Sequence, residues 1–349
     1  MESIKSADVI APSPDVAPGH PRELLRSFLR DRSAASDERW RRWCADLVKG
    51  GRLRPTDLSD WWTAINEFDP VLAQYAAEPV TVPDTTVVVA GSGKEQFKTF
   101  NVSTAAAILA AAAGTPVVKG ISRSVSAVSG AADILDILGV TPVARPAAIQ
   151  QALQRRNIAF VAYPVFCPHY AARYDGVFDS ISPASFFMPV ATVCVRASGF
   201  VLGLAHADVA LAALALRMIR PDIATGVVVS TDLSHGETVD EYSDVGTVRL
   251  ARVAAGALDS TTHTNPEPAR HWRRAVAHQP THRGNAALVA DALTATGDTP
   301  CTRLVELNAS LIVGTTATGC RPDEGIARVH HARRSGRAMR LLTELSESR

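Results

Sequence analysis

A short glycine-rich loop follows an apolar, β-branched run that begins at Val87. The loop reads Gly-Ser-Gly-Lys-Glu from residue 91 and leads to an alanine-rich helix that starts within 101–104. Glycine lets backbone N–H groups approach an anion, and the N-terminus of a helix adds the positive end of its dipole. The residues predicted to hold a pyrophosphate are Gly91, Gly93, Lys94, Asn101, Ser103 and Thr104. Each hydroxyl could equally serve as a plain helix cap.

A second anion-binding loop is predicted one strand-helix unit further along the chain. Lys119 directly follows the short apolar segment 116–118, and a serine-rich loop that contains Arg123 comes after Lys119. A helix entrance at Ser129 and Gly130 closes this loop. Lys119 and Arg123 would add positive charge to the phosphate site.

Two adjacent acids far downstream, Asp240 and Glu241, could supply a metal to such a site. They follow a loop that leaves the apolar run 226–230. Carboxylates commonly hold Mg²⁺ bound to substrate phosphates, with water filling the remaining octahedral positions. An acidic pair is also typical of solvated surface. His235, in the same loop, could orient a substrate but is equally typical of a loop residue.

The elements that must position these residues alternate between strand and helix from about residue 85. Short runs rich in valine and isoleucine are predicted strands, as expected where helices cover both faces of a parallel sheet. The predicted strands lie at 158–166, 190–195, 201–205 and 226–230, with helices at 104–113, 207–219, 285–295, 303–313 and 325–345. Apolar residues at helical spacing between 21 and 77 predict three or four short helices.

These patterns predict an α/β fold in which a small all-α domain accompanies a large domain with a mainly parallel central sheet flanked by helices. We expect a disordered tail at 1–20, a helical domain at 21–82 with about 170–189, and a large α/β domain at 83–169 with 190–349. Four histidines between 261 and 285 match no standard set of metal ligands, so this segment is predicted to be a solvated loop.

Composition excludes several classes of protein. The 349 residues are 46% hydrophobic and 20% charged, as in a globular protein with a large core. Lysine plus arginine (36) nearly equals aspartate plus glutamate (35), so no global positive field exists to attract nucleic acid. The five cysteines form no CxxC pair, and no apolar run reaches the roughly 18 residues that a membrane span needs. We therefore expect a cytoplasmic protein without membrane or nucleic-acid partners.

The sequence resembles the anthranilate phosphoribosyltransferase family over nearly its whole length. The resemblance is carried, in the family's order and spacing, by GSGKEQFKTFNVST, KGISRSVSAVSGAAD, FVAYPVFCP, the acidic pair, LVELNASLIVG and ARRSGRA. It implies a small helical domain hinged to a larger α/β domain, binding of phosphoribosyl pyrophosphate (PRPP) with Mg²⁺, and a homodimer.

By this resemblance, the PRPP site falls on the loops already described. The pyrophosphate loop corresponds to Gly91, Ser92, Gly93 and Glu95, the following helix start to Asn101, Ser103 and Thr104, and the phosphate-binding lysine to Lys119. The magnesium positions correspond to Ser103, Asp240 and Glu241. Lys119 and the two acids would have the catalytic roles: Lys119 would stabilise the charge that develops on the leaving pyrophosphate directly, and the acids would do so through the Mg²⁺ that they hold.

The acceptor side departs further from the family. Its predicted lining is Gly120, Ser122, Cys167, His169 and Val177, where Gly120 to Ser122 replace His-Gly-Asn and Cys167 replaces a histidine. The arginine expected to bind the anthranilate carboxylate corresponds to Val177, although Arg173 lies nearby. Without that bidentate cation, a neutral pocket would leave the carboxylate unpaired on burial, at a cost of several kcal/mol.

The sequence therefore predicts transfer of the 5-phosphoribosyl group to a non-anthranilate acceptor, of aromatic or heteroaromatic type and suited to secondary metabolism. Pyrophosphate would be released, and Cys167, His169 and His235 are the candidate bases for the acceptor. Two alternatives remain, a nucleoside phosphorylase-like enzyme and a non-catalytic relative that binds nucleic acid. The acidic pair argues against the first alternative, and the near-neutral charge argues against the second.

Overall fold

A computed structural model of the protein describes residues 21–123, 128–316 and 322–347. The predicted tail at 1–20 lies outside the described residues, as do residues 124–127 of the serine-rich loop.

The chain opens with four helices, as the apolar spacing predicts. They are α1 (Pro21–Arg30), α2 (Ala34–Lys49), α3 (Pro55–Phe68) and α4 (Pro70–Ala77). Proline occupies the first helical position of α1, α3 and α4, where its missing N–H costs nothing. The Asp69 carboxylate caps α4 by accepting hydrogen bonds from the N–H groups of Val71 and Leu72. Trp40 and Trp61 are fully buried among these helices, so their large apolar area stabilises the helical layer.

The described residues beyond this layer build one eight-stranded sheet. Its strands are β1 (Val87–Gly91), β2 (Val117–Ile121), β3 (Ile158–Ala162), β4 (Gly199–Gly203), β5 (Thr225–Asp232), β6 (Thr238–Val239), β7 (Thr247–Ala254) and β8 (Ala257–Thr264). The spatial order is β3-β2-β1-β4-β5-β7-β8, with β6 paired to β5. The first five strands are parallel and the last three antiparallel.

Helices cover both faces of this sheet. They are α5 (Val102–Ala112), α6 (Ala131–Leu138), α7 (Ile149–Arg156), α8 (Pro168–Tyr174), α9 (Met188–Ala191), α10 (Val209–Ile219), α11 (Arg270–Val276), α12 (His282–Ala292), α13 (Pro300–Gly314), α14 (Pro322–Arg334) and α15 (Arg337–Ser346). Successive side chains of β1 point to opposite faces, so Val87 packs in one core cluster with α5 and α13, and Val88 in another with the opening helices. The predicted fold class is confirmed.

One predicted strand is wrong. Residues 190–195 are apolar, but they form the end of α9 and a turn, and their only sheet-like contact within the described chain is a single bridge between Val80 and Val195. Val190, Val193 and Val195 are fully buried, which explains the apolar run. A short apolar run that is buried on all sides cannot be distinguished from a strand by periodicity.

The histidine-containing segment is not a loop either. It holds the end of β8, all of α11 and the start of α12. Strand β8 is mostly exposed at the edge of the sheet, so its sequence, ALDSTTHT, lacks the apolar alternation of a buried strand. The last predicted helix is divided in two at Gly336, whose φ of 73° is a left-handed conformation that glycine adopts readily.

Residues of the segment 170–189, which the sequence analysis assigns to the helical domain, lie against the opening helices. Helix α8 contacts α3 and α4, and the short turn Pro183–Phe186 contacts α2 and α3. The domain boundaries nevertheless stay a prediction. Among the residues that the structure describes, no helix is long and apolar enough to cross a membrane.

Candidate active site

A cavity of about 260 Å³ lies at the carboxyl ends of β1 and β2. This edge of an open α/β sheet is where such folds bind ligands, because the loops that leave the strands converge there. Two groups of residues line it. We call the part formed by 91–93, Glu95, 98–103, Lys119 and the acidic pair the donor half, and the part formed by 120–122, Lys94 and residues of 163–189 the acceptor half.

The first loop is fixed against β4 and the acidic pair. The Ser92 N–H donates to the Gly203 carbonyl at 2.8 Å, and the Ser92 hydroxyl accepts from the Ala205 N–H at 2.9 Å. The Gly93 N–H donates to Asp240 Oδ2 at 3.2 Å, although the two residues are 147 positions apart. A Cβ on Gly91 would lie 2.6 Å from the same oxygen, so only glycine lets Asp240 approach so closely.

The start of α5 points polar groups at the donor half without using them as caps. Asn101 occupies the N-cap position but makes no side-chain cap hydrogen bond, and its Oδ1 has no partner among the described residues. Ser103 lines the cavity, whereas Thr104 is fully buried and does not. Unsatisfied N–H groups in the first turn of a helix bind anions. The N-terminus of α5 is therefore available to a phosphate group.

Lys119 on β2 carries a buried positive charge into the donor half. Its side chain is 3% exposed, and its ammonium group donates to the Gly120 carbonyl at 2.7 Å. Burial lowers the pKa of Lys119 to about 8, an effect that the nearby Asp240 opposes. A phosphate group would relieve the cost of burying this ammonium group.

Asp240 and Glu241 are not solvated surface residues. Both line the cavity, and Glu241 is 5% exposed. The Thr99 hydroxyl donates to Glu241 Oε1 at 2.7 Å, while Oε2 has no partner in the described parts of the chain. Burial and then Asp240 raise the pKa of Glu95 to about 7, and burial raises the pKa of Asp240 and, strongly, of Glu241. Because burial disfavours the charged forms of these carboxyl groups, a bound cation would stabilise those forms.

The second loop lies partly outside the described residues. Arg123 lines the cavity but is exposed, and its guanidinium pairs with Asp133 at 3.1 Å and with Asp136 at 3.4 Å. Gly120 and Ser122 line the cavity beside it. A Cβ on Gly120 would meet the Pro189 carbonyl oxygen at 3.3 Å, so a side chain there would crowd the residues that precede β4.

The structure places three predicted acceptor residues away from the cavity. Cys167 is fully buried, with its thiol donating to the Tyr163 carbonyl at 3.3 Å, and burial raises its pKa well above the ordinary value. His169 is exposed, and Val177 packs in the core beside the opening helices. His235, in a left-handed conformation with φ of 68°, is exposed and also outside the cavity.

Arg173 does not take the place of the missing arginine. It is 4% exposed and donates to the carbonyls of Phe28 and Asp31 and to Asp37 Oδ1, at 2.6 to 2.9 Å. Its guanidinium also lies 5.0 Å from the centre of the Trp40 ring. These contacts hold α8 against α1 and α2, so Arg173 is a structural residue.

The acceptor half is instead lined by residues that sequence reasoning missed. Tyr163, Tyr170, Tyr174, Asp175 and Met188 line it. Tyr170 and Tyr174 are stacked, with ring centres 5.1 Å apart. Their four-residue spacing on one helix was a detectable signal, because residues i and i+4 share a helix face.

A second group that the sequence did not identify connects α12 to the donor half. His278 Nδ1 donates to the Thr99 carbonyl at 3.1 Å, and Nε2 accepts from the Ser129 N–H at 3.2 Å. The ring is therefore neutral in this arrangement, in keeping with burial, which lowers the pKa of His278. Asn285 and His282 both contact the Ser129 hydroxyl. Through Thr99, which also binds Glu241, this network supports the acidic pair.

The sequence and the fold of the protein match those of known proteins. Residues 84–339 match the model of the glycosyl transferase family, a/b domain. An anthranilate phosphoribosyltransferase of Mycobacterium ulcerans (strain Agy99) is 29% identical over 245 residues, which cover 63% of this chain and 62% of that protein. The chain thus spans just under two thirds of that relative's length.

A longer alignment joins the chain to the anthranilate phosphoribosyltransferase of Mycolicibacterium paratuberculosis (strain ATCC BAA-968 / K-10), 29% identical over 335 residues and 86% of each protein. The structure of the anthranilate phosphoribosyltransferase of Saccharomyces cerevisiae in complex with PRPP and Mg has the same fold, with a TM-score of 0.69, 18% identity and coverage of 94% of this chain and 93% of that one. The chain belongs to this glycosyl transferase family, and the predicted membership of the anthranilate phosphoribosyltransferase family is confirmed.

Proposed function

Taking that membership as the premise, we propose that the protein transfers the 5-phosphoribosyl group of PRPP to an aromatic or heteroaromatic acceptor other than anthranilate and releases pyrophosphate. One observation carries the proposal. The glycine loop contacts Asp240, with 3.2 Å between the Gly93 nitrogen and Asp240 Oδ2. Lys119 lines the same cavity. Backbone N–H groups, a buried cation and acidic side chains are the combination that a metal-bound diphosphate requires.

The acids fit a magnesium ion. Asp240 and Glu241, with the hydroxyl of Ser103, would hold Mg²⁺ together with PRPP, as the Saccharomyces cerevisiae complex has both. No three His, Cys, Asp or Glu side chains form a metal site by themselves within the described ranges. This agrees with magnesium chemistry, in which phosphate oxygens and water complete the octahedron. When bound, the ion would neutralise charge on the leaving diphosphate.

The residues of the donor half would then act mainly through position and charge. As the bond between C1 of the ribose and the diphosphate oxygen breaks, the oxygen keeps the electron pair and the ribose gains oxocarbenium character. Lys119 and the loop N–H groups stabilise the charge on the departing pyrophosphate. The acceptor forms its bond to C1 and loses a proton, so no covalent intermediate on the protein is needed.

The contacts of the acceptor half support a substrate other than anthranilate. Val177 packs in the core, and Arg173 is occupied by Asp37 and two carbonyl groups. In the described chain, Arg123 is the only guanidinium that lines the cavity, and it pairs with Asp133 and Asp136. A planar fork that could grip an ortho-amino carboxylate at two points is therefore missing from the lining. The homodimer is a part of the proposal that rests on the resemblance, and the cytoplasmic location is one that rests on the scattered cysteines and the lack of a long apolar run in the sequence.

Calorimetric titration of the protein with PRPP and Mg²⁺ tests the donor half. We expect Mg²⁺-dependent saturable binding, and no binding would contradict the transferase function.

Incubation with PRPP and anthranilate tests the acceptor, because transfer to anthranilate changes its fluorescence. We expect no turnover, whereas a rate of about 1 s⁻¹ or more, ordinary for enzymes, would show anthranilate to be the substrate. Binding of a nucleoside with phosphate, or salt-dependent binding of single-stranded nucleic acid, would favour the two alternative functions.

A further inference from the structure

Lys94 has a strained backbone in the middle of the first loop. Its φ of 65° lies in the left-handed region, which side-chain-bearing residues avoid and glycine adopts readily. Strain that persists at a binding site is commonly associated with the function of that site. The contacts of the Lys94 side chain in the cavity indicate what this backbone conformation achieves.

The Lys94 side chain leaves the donor loop and ends in the acceptor half. Its Nζ lies 5.4 Å from the centre of the Tyr174 ring and 5.7 Å from that of Phe178. The ammonium group donates to the Tyr174 hydroxyl at 3.4 Å. Cations over aromatic faces at such distances are attracted by the ring. Lys94 is therefore a donor-loop residue by sequence and an acceptor-half residue by contact.

The two charged side chains of the acceptor half, Asp175 and Lys94, differ in the contacts that they make. Asp175 accepts a hydrogen bond from the Tyr163 hydroxyl, and it is exposed to solvent. Within the described part of the chain, Lys94 has no carboxylate in ion-pair contact, only the phenol oxygen and the two rings. Burial is the largest influence on Lys94 and lowers its pKa to about 8. The sequence analysis supposed a neutral pocket, but the acceptor half holds two charged groups: the Asp175 carboxylate, which is hydrogen-bonded to Tyr163, and the Lys94 ammonium group, which has no ion-pair partner among the described residues.

The Tyr170 hydroxyl is another polar group of the acceptor half that a bound molecule could contact. Its side chain lines the cavity and is only 1% exposed, yet its hydroxyl has no hydrogen-bond partner among the described residues. A buried hydroxyl without a partner costs free energy that a bound molecule could recover. Its ring stacks on Tyr174, which bears the Lys94 contact. A flat ring bearing an oxygen acceptor would match both features.

We propose that Lys94 determines acceptor specificity, and that the acceptor is an aromatic compound with an anionic oxygen group that binds the Lys94 ammonium group. This inference rests on the proposed function, because it names the substrate class of that cavity. The ammonium group is a single point charge that enters from the donor loop, whereas the arginine that the resemblance leads one to expect at position 177 would be a two-point fork.

The test compares aromatic acids with their neutral amides. Binding of benzoate, 4-hydroxybenzoate and indole-3-carboxylate is measured by calorimetry against the three matching carboxamides, without PRPP. For the wild-type protein we expect at least one acid to bind about tenfold or more tightly than its amide, as for one new charge-assisted hydrogen bond. Equal or weaker binding of all three acids would overturn the proposal.

Three variants locate the effect. Lys94→Met should abolish the preference for the acid, Lys94→Arg should retain most of it, and Lys94→Gly, which also removes the backbone strain, should abolish it in a protein at least as stable. The affinity for PRPP with Mg²⁺ is measured for all three variants as well, because the loop that carries Lys94 also borders the donor half. Retention of the preference in both Lys94→Met and Lys94→Gly would overturn the proposal. So would a tenfold loss of PRPP affinity without a change in preference, since that would place Lys94 in the donor half.

The two proposals can fail separately. Absence of PRPP binding by the wild-type protein contradicts the transferase function, whatever the Lys94 variants show. Normal PRPP binding with no discrimination between acids and amides contradicts the acceptor assignment alone.

Discussion

The donor and acceptor halves of one cavity are built by different means. The donor half depends on main-chain geometry: glycines at 91 and 93, the end of β1 and the first turn of α5 bring the backbone to the cavity. The acceptor half is formed by side chains, chiefly tyrosines from α8 and from the turn before it. Backbone recognition tolerates few substitutions, whereas a wall of side chains can change while the fold remains.

This difference explains why the two halves diverge unequally from the family. Replacing Gly91 would force Asp240 away from the loop, because the new Cβ would lie 2.6 Å from Oδ2. Val177, where the resemblance leads one to expect an arginine, packs in the apolar core and is 8% exposed. The proposed change of substrate would therefore be made most readily by altering the acceptor half.

The largest effect is expected from Asp240→Asn, which keeps the shape of the side chain and removes its charge. Turnover with PRPP should fall by about a thousandfold, since the carboxylate that would hold the magnesium ion on the leaving diphosphate is lost. Steady-state release of pyrophosphate measures this, with an acceptor found by screening. The matched control is Asp244→Asn, an exposed acid paired with Arg303 outside the cavity. Equal activity of the two variants would remove the acidic pair from the mechanism.

A smaller effect is expected from Gly91→Ala, which tests whether the donor half depends on its backbone. The added Cβ must displace Asp240, so PRPP affinity should fall by about a hundredfold while binding of aromatic acids in the acceptor half is unchanged. Calorimetry measures both. Gly314→Ala is the control, because a Cβ there would meet no atom within 4 Å. Loss of both affinities together would show that the two halves are not independent.

The smallest effect is expected from pH, acting on the acceptor half alone. Burial lowers the pKa of Lys94 to about 8, with Asp179, Cys44 and Asp175 opposing this effect and Lys98 adding to it. The charged form therefore predominates below pH 8 and is lost above it. Affinity for an aromatic acid should fall about tenfold between pH 7 and pH 9, and that for the amide should not change. A pH-independent affinity for the acid would separate Lys94 from acceptor binding.

Some of the site was predictable because the signal was local. Glycines after an apolar strand, a polar helix start and the alternation of strands with helices follow from short stretches of sequence. They placed Gly91, Lys119 and Ser103 on the cavity and gave the class of fold correctly. The predicted strand at 190–195 and the predicted histidine-containing loop failed, since a buried turn and an exposed edge strand lack the periodicity on which such predictions depend.

By itself, the sequence determined which segments could bind phosphate, because the backbone conformations that do so require particular residues at consecutive positions. Only the tertiary structure decided which distant residues meet them. It brought Asp240 to Gly93 across 147 positions, buried Glu241 of the acidic pair that resembled solvated surface, and joined His278 to Ser129. It also turned Lys94 away from its own loop toward Tyr174. Such contacts depend on the packing of separate elements, and no local pattern of residues encodes them.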